Sequence, residues 1–171
     1  MDFFEVVKKR ASYRGPYKDQ KVPDEDIRKI LQAGIDAPSG MNYQGVSFIG
    51  VKDPEVLKQI SEVISTPATQ TAPLIVVITQ KLSGPLVYGM SFNVEDYGAA
   101  TENVWLAITA LGYAGVWMDG MTKAGDNADK IKKILGIEDE TIIKTIIPVG
   151  VPEKEPVPSE KKKFEERACI I

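Results

Sequence analysis

The chain has 171 residues, 43% of them apolar and 26% charged, with a formal net charge of −3. That length fits one domain, which buries roughly 70% of its unfolded surface without staples, and the slightly acidic balance provides no basic footprint for nucleic acid. There is no histidine and a single cysteine, Cys169, so histidine triads, histidine general bases, an internal disulfide and a CxxC redox pair are all excluded.

Asp2 can cap a first helix, with Glu5 three residues on in a box arrangement. Phe3, Val6 and Val7 share a face of that helix, Lys8 to Arg10 suit its C-terminal end, and Gly15-Pro16 ends the segment. A second helix is predicted from Pro23 to about Ala37, where Ile27, Ile30, Leu31, Gly34 and Ile35 fall at helical spacing and Pro38 stops it. Val46 to Val51 reads as a strand, and Asp53-Pro54 opens a third helix with a stripe of Val56, Leu57, Ile60, Val63 and Ile64. The β-branched run Leu74 to Thr79 predicts a strand buried on both faces.

Residues 80–93, with Gly84, Pro85 and Gly89, read as a loop or lid. A long helix comes next over roughly Val94 to Leu111, ended by Gly112, then a short strand from Ala114 to Met118. Asn127 to Leu135 forms a further helix stopped by Gly136, and Thr141 to Val149 a further apolar strand. An extended tail with Pro152, Pro156 and Pro158 leads to Lys161-Lys162-Lys163. No repeat or composition break divides the chain, so 1–171 is read as a single domain of α+β class, a short mixed sheet covered by helices. No apolar run reaches the length of a membrane span, and the acidic N-terminus lacks a signal-peptide layout, so a cytoplasmic protein is expected.

Three segments invite a chemical reading. Arg10-Ala11-Ser12-Tyr13-Arg14 places two guanidiniums and a hydroxyl together, a donor set suited to phosphate, or else a solvated basic helix end. Ala37 to Gln44 is a polar loop between helix and strand whose Ser39, Asn42 and Gln44 can read a heteroaromatic edge or serve their own backbone. Gly112 to Gly120 lets a flat ligand approach a short strand closely, or is ordinary helix–strand packing. No GxGxxG follows a strand and no GxxxxGK[ST] occurs, so a dedicated dinucleotide or P-loop fold is not expected.

In this order the segments resemble the nitroreductase family of flavoproteins. The R-x-S-x-R signature is matched by Arg10, Ser12 and Arg14, and the V-P…A-P-S-x-x-N-x-Q element by Val22-Pro23, Ala37-Pro38-Ser39, Asn42 and Gln44. Asp96 to Gly120, Gly150-Val151-Pro152 and the basic tail resemble later family features more loosely. Many members continue Q-P-W where this chain has Gln44-Gly45-Val46, and lysines stand where the family tail often carries arginine.

The resemblance implies a nitroreductase-like α+β sandwich forming an intertwined homodimer, with FMN at the interface and NADH or NADPH as a transient donor. Arg10, Ser12 and Arg14 would hold the phosphate and ribityl region, with Lys161 and Lys163 completing the cage from the tail. Pro38, Ser39, Gly40 and Asn42 would reach the partner's flavin, and Asp119 and Gly120 would bring backbone donors to N5. Tyr88 and Phe92 are candidates for the substrate side, with Met90 between them. No catalytic side chain and no metal is implied. The implied reaction is ping-pong transfer to a nitroaromatic, quinone or flavin. The alternatives are a non-enzymatic FMN-binding or sequestering dimer, and a family variant acting on the flavin itself or on a halogenated aromatic.

Overall fold

The computed structural model describes residues 1–137 and 140–171. Its helices are α1 (Phe3–Lys9), α2 (Asp24–Ile35), α3 (Pro54–Val63), α4 (Pro67–Thr71), α5 (Asn93–Ala110), α6 (Asp119–Lys123) and α7 (Asn127–Ile134). Its strands are β1 (Val46–Val51), β2 (Leu74–Lys81), β3 (Ala114–Gly115) and β4 (Thr141–Gly150), in sheet order β1-β2-β4-β3.

The core has two halves, one on each face of the sheet. β2 alternates between them: Ile75 and Val77 pack with Ile60, Ile64, Ile131 and Ile146, while Leu74, Val76 and Ile78 pack with Ile30, Val104, Ile108 and Ile147. Helices α3, α4, α6 and α7 cover the first face and α2 with α5 the second, so β2 is buried along all but its last residue. A strand buried on both faces has no use for polar alternation, which explains the continuous β-branched run. Gly34 on α2 permits the approach of α5: a Cβ there would lie 2.5 Å from the Phe48 ring and 2.8 Å from Val104.

The expected end signals operate. Asp2 and Glu5 cap α1 reciprocally, at 2.9 and 3.2 Å. The Asp53 carboxylate accepts from the Glu55 and Val56 amides at 3.0 and 3.1 Å, and Gly112 and Gly136 take φ of +86° and +63° just past α5 and α7.

Several expectations change. The sheet is not mixed: among the described residues its strand pairs are antiparallel, and the one parallel pairing is the single bridge Ser12–Gly115. The excursion between β1 and β2 leaves and returns at the same end, since Val51 faces Ile75, and the unpredicted α4 completes that return. β3 stops at Gly115 because the chain turns into α6 at Asp119. Helix α1 ends at Lys9, as Lys8 to Arg10 suggested, but of the expected face it buries only Val6, leaving Phe3, Phe4 and Val7 exposed. Among the described residues no helix is long and apolar enough to cross a membrane.

Candidate active site

Beyond α1 the backbone becomes extended, and Tyr13 donates its N–H to the Gly115 carbonyl at 3.1 Å. Extended chain alternates its side chains, so Ala11 and Tyr13 point into the core and Arg10, Ser12 and Arg14 share the outer edge. The segment thus starts at the end of α1, with Arg10 as its cap, and continues as a strand-like edge. The Arg10 guanidinium lies 4.3 Å from the Trp105 ring centroid, and its Nε is 3.6 Å from Glu102 Oε1. That arrangement holds the side chain by stacking and one ion pair made through Nε, with no partner for its terminal nitrogens among the described residues. Arg14 is exposed, its Nη1 donating to the Ser12 carbonyl at 3.5 Å, and the Ser12 hydroxyl has no partner among the described residues. Two guanidiniums and a free hydroxyl on one edge fit a phosphate.

The second segment lies on the other flank of α5. Gly40 donates its N–H to the buried Asp96 carboxylate at 2.7 Å, and the Ser39 hydroxyl accepts from the Gln44 N–H at 3.0 Å. Met41, Asn42 and Gln44 all have positive φ, at 52°, 55° and 54°. The left-handed region costs a non-glycine residue roughly 1–2 kcal/mol, so the loop keeps its shape only because its neighbours impose it. Phe92 is one of them: a Cβ on Gly40 would lie 2.7 Å from the Phe92 side chain. Pro38 and Ser39 border a shallow cleft with Gln44 and Asp96.

Asp119 opens α6 and joins a network that local sequence patterns did not reveal. Its carboxylate accepts from the Tyr97 hydroxyl at 2.8 Å and pairs with Lys123 at 2.7 Å, while Trp117 Nε1 donates to the same Tyr97 oxygen at 2.7 Å. Lys144 lies over the Tyr97 ring at 4.9 Å. Burial pushes the Asp119 carboxyl up, but the bonds from Lys123 and Tyr97 outweigh it and hold the group below the usual carboxylate range. Burial, then the Asp119 bond, push the Tyr97 hydroxyl well up, so it stays protonated. Burial and the repulsion of Lys123 push Lys144 down. Gly120 borders a cleft with Arg14, Trp117 and Met118, which brings the 119–120 turn to the same flank as the arginine edge.

A titration checks this network. Because the folded Asp119 value is depressed, its stabilisation is complete above the unfolded carboxylate value and fades as pH falls through the folded one. Acidification below the usual carboxylate range should therefore perturb the emission of the chain's two tryptophans, Trp105 and Trp117, and Tyr97→Phe should shift that transition to higher pH. A transition unmoved in Tyr97→Phe would refute the coupling.

The predicted site residues thus fall into separate groups. Arg10, Ser12, Arg14, Asp119 and Gly120 share one flank of α5, and Pro38, Ser39, Gly40 and Asn42 share the other with Phe92. Tyr88 is 94% exposed at the tip of a two-residue turn closed by Val87 and Met90. Lys161 and Lys163 are exposed on the tail. Asp96, Tyr97, Glu102 and Trp105 carry no motif that singles them out, though Tyr97, Thr101, Trp105 and Ile108 recur along one helical face that periodicity could have found.

The Nitroreductase family model matches residues 7–71 and 62–151. The chain belongs to the nitroreductase family. A relative from Archaeoglobus fulgidus, assigned as an NADH dehydrogenase/NAD(P)H nitroreductase, is 35% identical over 142 residues, 81% of this chain and 79% of its own. Among solved nitroreductase-fold structures, the BluB-like flavoprotein from Clostridium difficile superposes with a TM-score of 0.83 at 26% identity, covering 100% of this chain and 99% of that one. A protein from Desulfovibrio desulfuricans, assigned as a nitroreductase and solved in complex with FMN, gives 0.80 at 25% identity over 95% and 93% of the two chains. The family's α+β architecture is thus shared along nearly the whole chain, and with it the oxidoreductase class.

Proposed function

We propose that this nitroreductase is an FMN-dependent oxidoreductase that passes electrons from NADH or NADPH to a nitroaromatic, quinone or flavin acceptor by a ping-pong mechanism. The observation that carries this reading is the outer edge of Arg10, Ser12 and Arg14, beside the 119–120 turn. The relatives' oxidoreductase names and the FMN complex of a structural neighbour support it.

In this reading 1–171 acts as one FMN-binding domain within a homodimer in the cytoplasm. The placement of the two half-sites on opposite flanks of α5 suits a cofactor shared between chains. The exposed Phe3, Phe4 and Val7 of α1, with Val157, Phe164, Ile170 and Ile171 of the tail, supply apolar surface for a partner copy.

FMN, when bound, supplies a hydride-accepting N5 that can later release its electrons to the acceptor. The Arg10, Ser12 and Arg14 edge binds the phosphate and ribityl region, with Lys161 and Lys163 adding charge from the tail. Pro38, Ser39, Gly40 and Asn42 orient the ring from the partner chain. The Asp119-Gly120 turn offers backbone N–H groups toward N5, held in place by the Asp119 bonds to Tyr97 and Lys123. The Tyr97 proton is committed to Asp119, so solvent supplies the protons. Donor and acceptor use the same open face in turn, with Tyr88 and Phe92 on its acceptor side.

The test is a visible spectrum of the purified protein before and after anaerobic NADH or NADPH. A yellow protein that bleaches, and recolours on adding a quinone, is expected. A colourless protein that rejects added FMN overturns the reading, and bound FMN that no nicotinamide donor reduces points to the non-enzymatic binder.

A further inference from the structure

Tyr13 sits between the two arginines, and its side chain has no part in the site so far. Its ring is buried, 8% exposed, with its centroid 5.3 Å from that of Tyr17. Its hydroxyl donates to the Pro16 carbonyl at 2.6 Å and accepts from the Glu153 N–H at 3.1 Å and the Lys154 N–H at 3.4 Å. The Glu153 N–H also reaches the Pro16 carbonyl, at 3.2 Å. Gly15 makes room for this fold-back, since a Cβ there would lie 2.9 Å from the Tyr13 oxygen. The Tyr17–Pro152 bridge and the Lys18 N–H to Val151 carbonyl bond at 2.9 Å join the same two stretches, and the Tyr13 hydroxyl extends that tie to Lys154.

Beyond that root the tail is a stiff spacer. Pro156 and Pro158 fall within the eight residues from Lys154 to Lys161, and proline-rich chain extends at about 3.1 Å per residue, so the seven steps place Lys161 about 22 Å beyond the tie. Glu155, Pro156 and Pro158 border a cleft with Lys9 and Tyr113, so the tail sets out alongside the end of α1 that leads into Arg10. Over such a distance, a small tilt at the root becomes a displacement of several ångströms at the lysines. The alternation that turns Arg10, Ser12 and Arg14 outward is the same one that turns Tyr13 inward to hold the root.

We propose that Tyr13 is a positioning residue whose hydroxyl, beyond the backbone bonds that hold residues 151–153, sets the direction of the tail from Lys154 onward and thereby brings Lys161 and Lys163 against the phosphate. The second half of this rests on the phosphate reading above; the anchoring of the root does not.

The test is a double-mutant cycle. Tyr13→Phe keeps the ring and its packing on Tyr17 and deletes only the hydroxyl. FMN affinity, read by quenching of flavin fluorescence, is compared in the native chain and in the Lys161→Gln/Lys163→Gln chain, alongside amide exchange at Glu153 and Lys154. The expected result is about fivefold weaker FMN binding in the native background, corresponding to one lost hydrogen-bonding group. No further loss is expected in the glutamine background, and exchange should be faster at Lys154, whose N–H loses its acceptor, while Glu153 keeps the Pro16 carbonyl. Equal losses in the two backgrounds, or no loss in either, overturn the coupling to the lysines. Unchanged exchange at Lys154 overturns the anchor. If the native chain binds no FMN, the phosphate reading fails and the lysines' role with it, while the exchange result still decides whether Tyr13 holds the root.

Discussion

Arg10→Ala weakens FMN binding by about 1.5–3 kcal/mol, the contribution of a charge-assisted hydrogen-bonding group. That corresponds to roughly a 10- to 150-fold rise in Kd. The reason is how Arg10 is held. Trp105 takes one face of the guanidinium and Glu102 approaches its Nε, so little side-chain freedom is left to lose when the terminal nitrogens meet a phosphate. Arg10→Lys keeps the charge but loses the planar fork and the stack, and should recover only part of the affinity. The Glu102 side chain is 43% exposed, so losing this ion pair costs the fold at most about 1 kcal/mol. Titration of FMN fluorescence with each variant checks the prediction. Unchanged affinity in both Arg10→Ala and Arg14→Ala would falsify the assignment of the edge.

Ile78→Ala acts on the fold and not on the site. Ile78 is fully buried on β2, between Phe48 on β1 and Thr145 on β4. Truncating a buried isoleucine to alanine costs about 2–5 kcal/mol, the spread depending on how far the cavity collapses. Against a total stability of about 5–15 kcal/mol this is a large fraction. Urea unfolding should show a lower midpoint with little change in slope. The affinity of the folded protein for FMN should stay within about twofold, since Ile78 borders neither half-site. A loss below about 1 kcal/mol would show that this core closes around a deleted side chain.

Much of the layout is legible in the sequence because it repeats. The stripe Ile27, Ile30, Gly34 needs several turns of helix to be seen, and α2 supplies them; the run Leu74 to Thr79 announces a doubly covered strand by having no polar alternation. Helices α4 and α6 have five residues each, too short for any period to register. Arg10 does stand at the helix end, and what the sequence reading overlooks is the alternation of Ala11 and Tyr13 with polar neighbours beyond it, which is the signature of an extended edge. The site is legible as segments and not as a geometry. That Asp96 holds Gly40, 56 positions away, while its neighbour Tyr97 holds Asp119 on the opposite flank, depends on how α5 is rotated against both. No local pattern encodes that rotation.

The absence of a side chain at Gly34 has a bearing on redesign. With Phe48 and Val104 filling the space where a Cβ would stand, α2 cannot slide along α5, and the loop that leaves α2 inherits a fixed mounting. Altering the chain's choice of oxidant by repacking that mounting would jeopardise folding before it changed selectivity. The turn from Val87 to Met90 is the contrasting case: it closes on itself through two backbone bonds and holds Tyr88 out in solvent. Substitutions at Tyr88 should therefore be tolerated with little effect on stability, whereas a side chain at Gly40 would collide with Phe92.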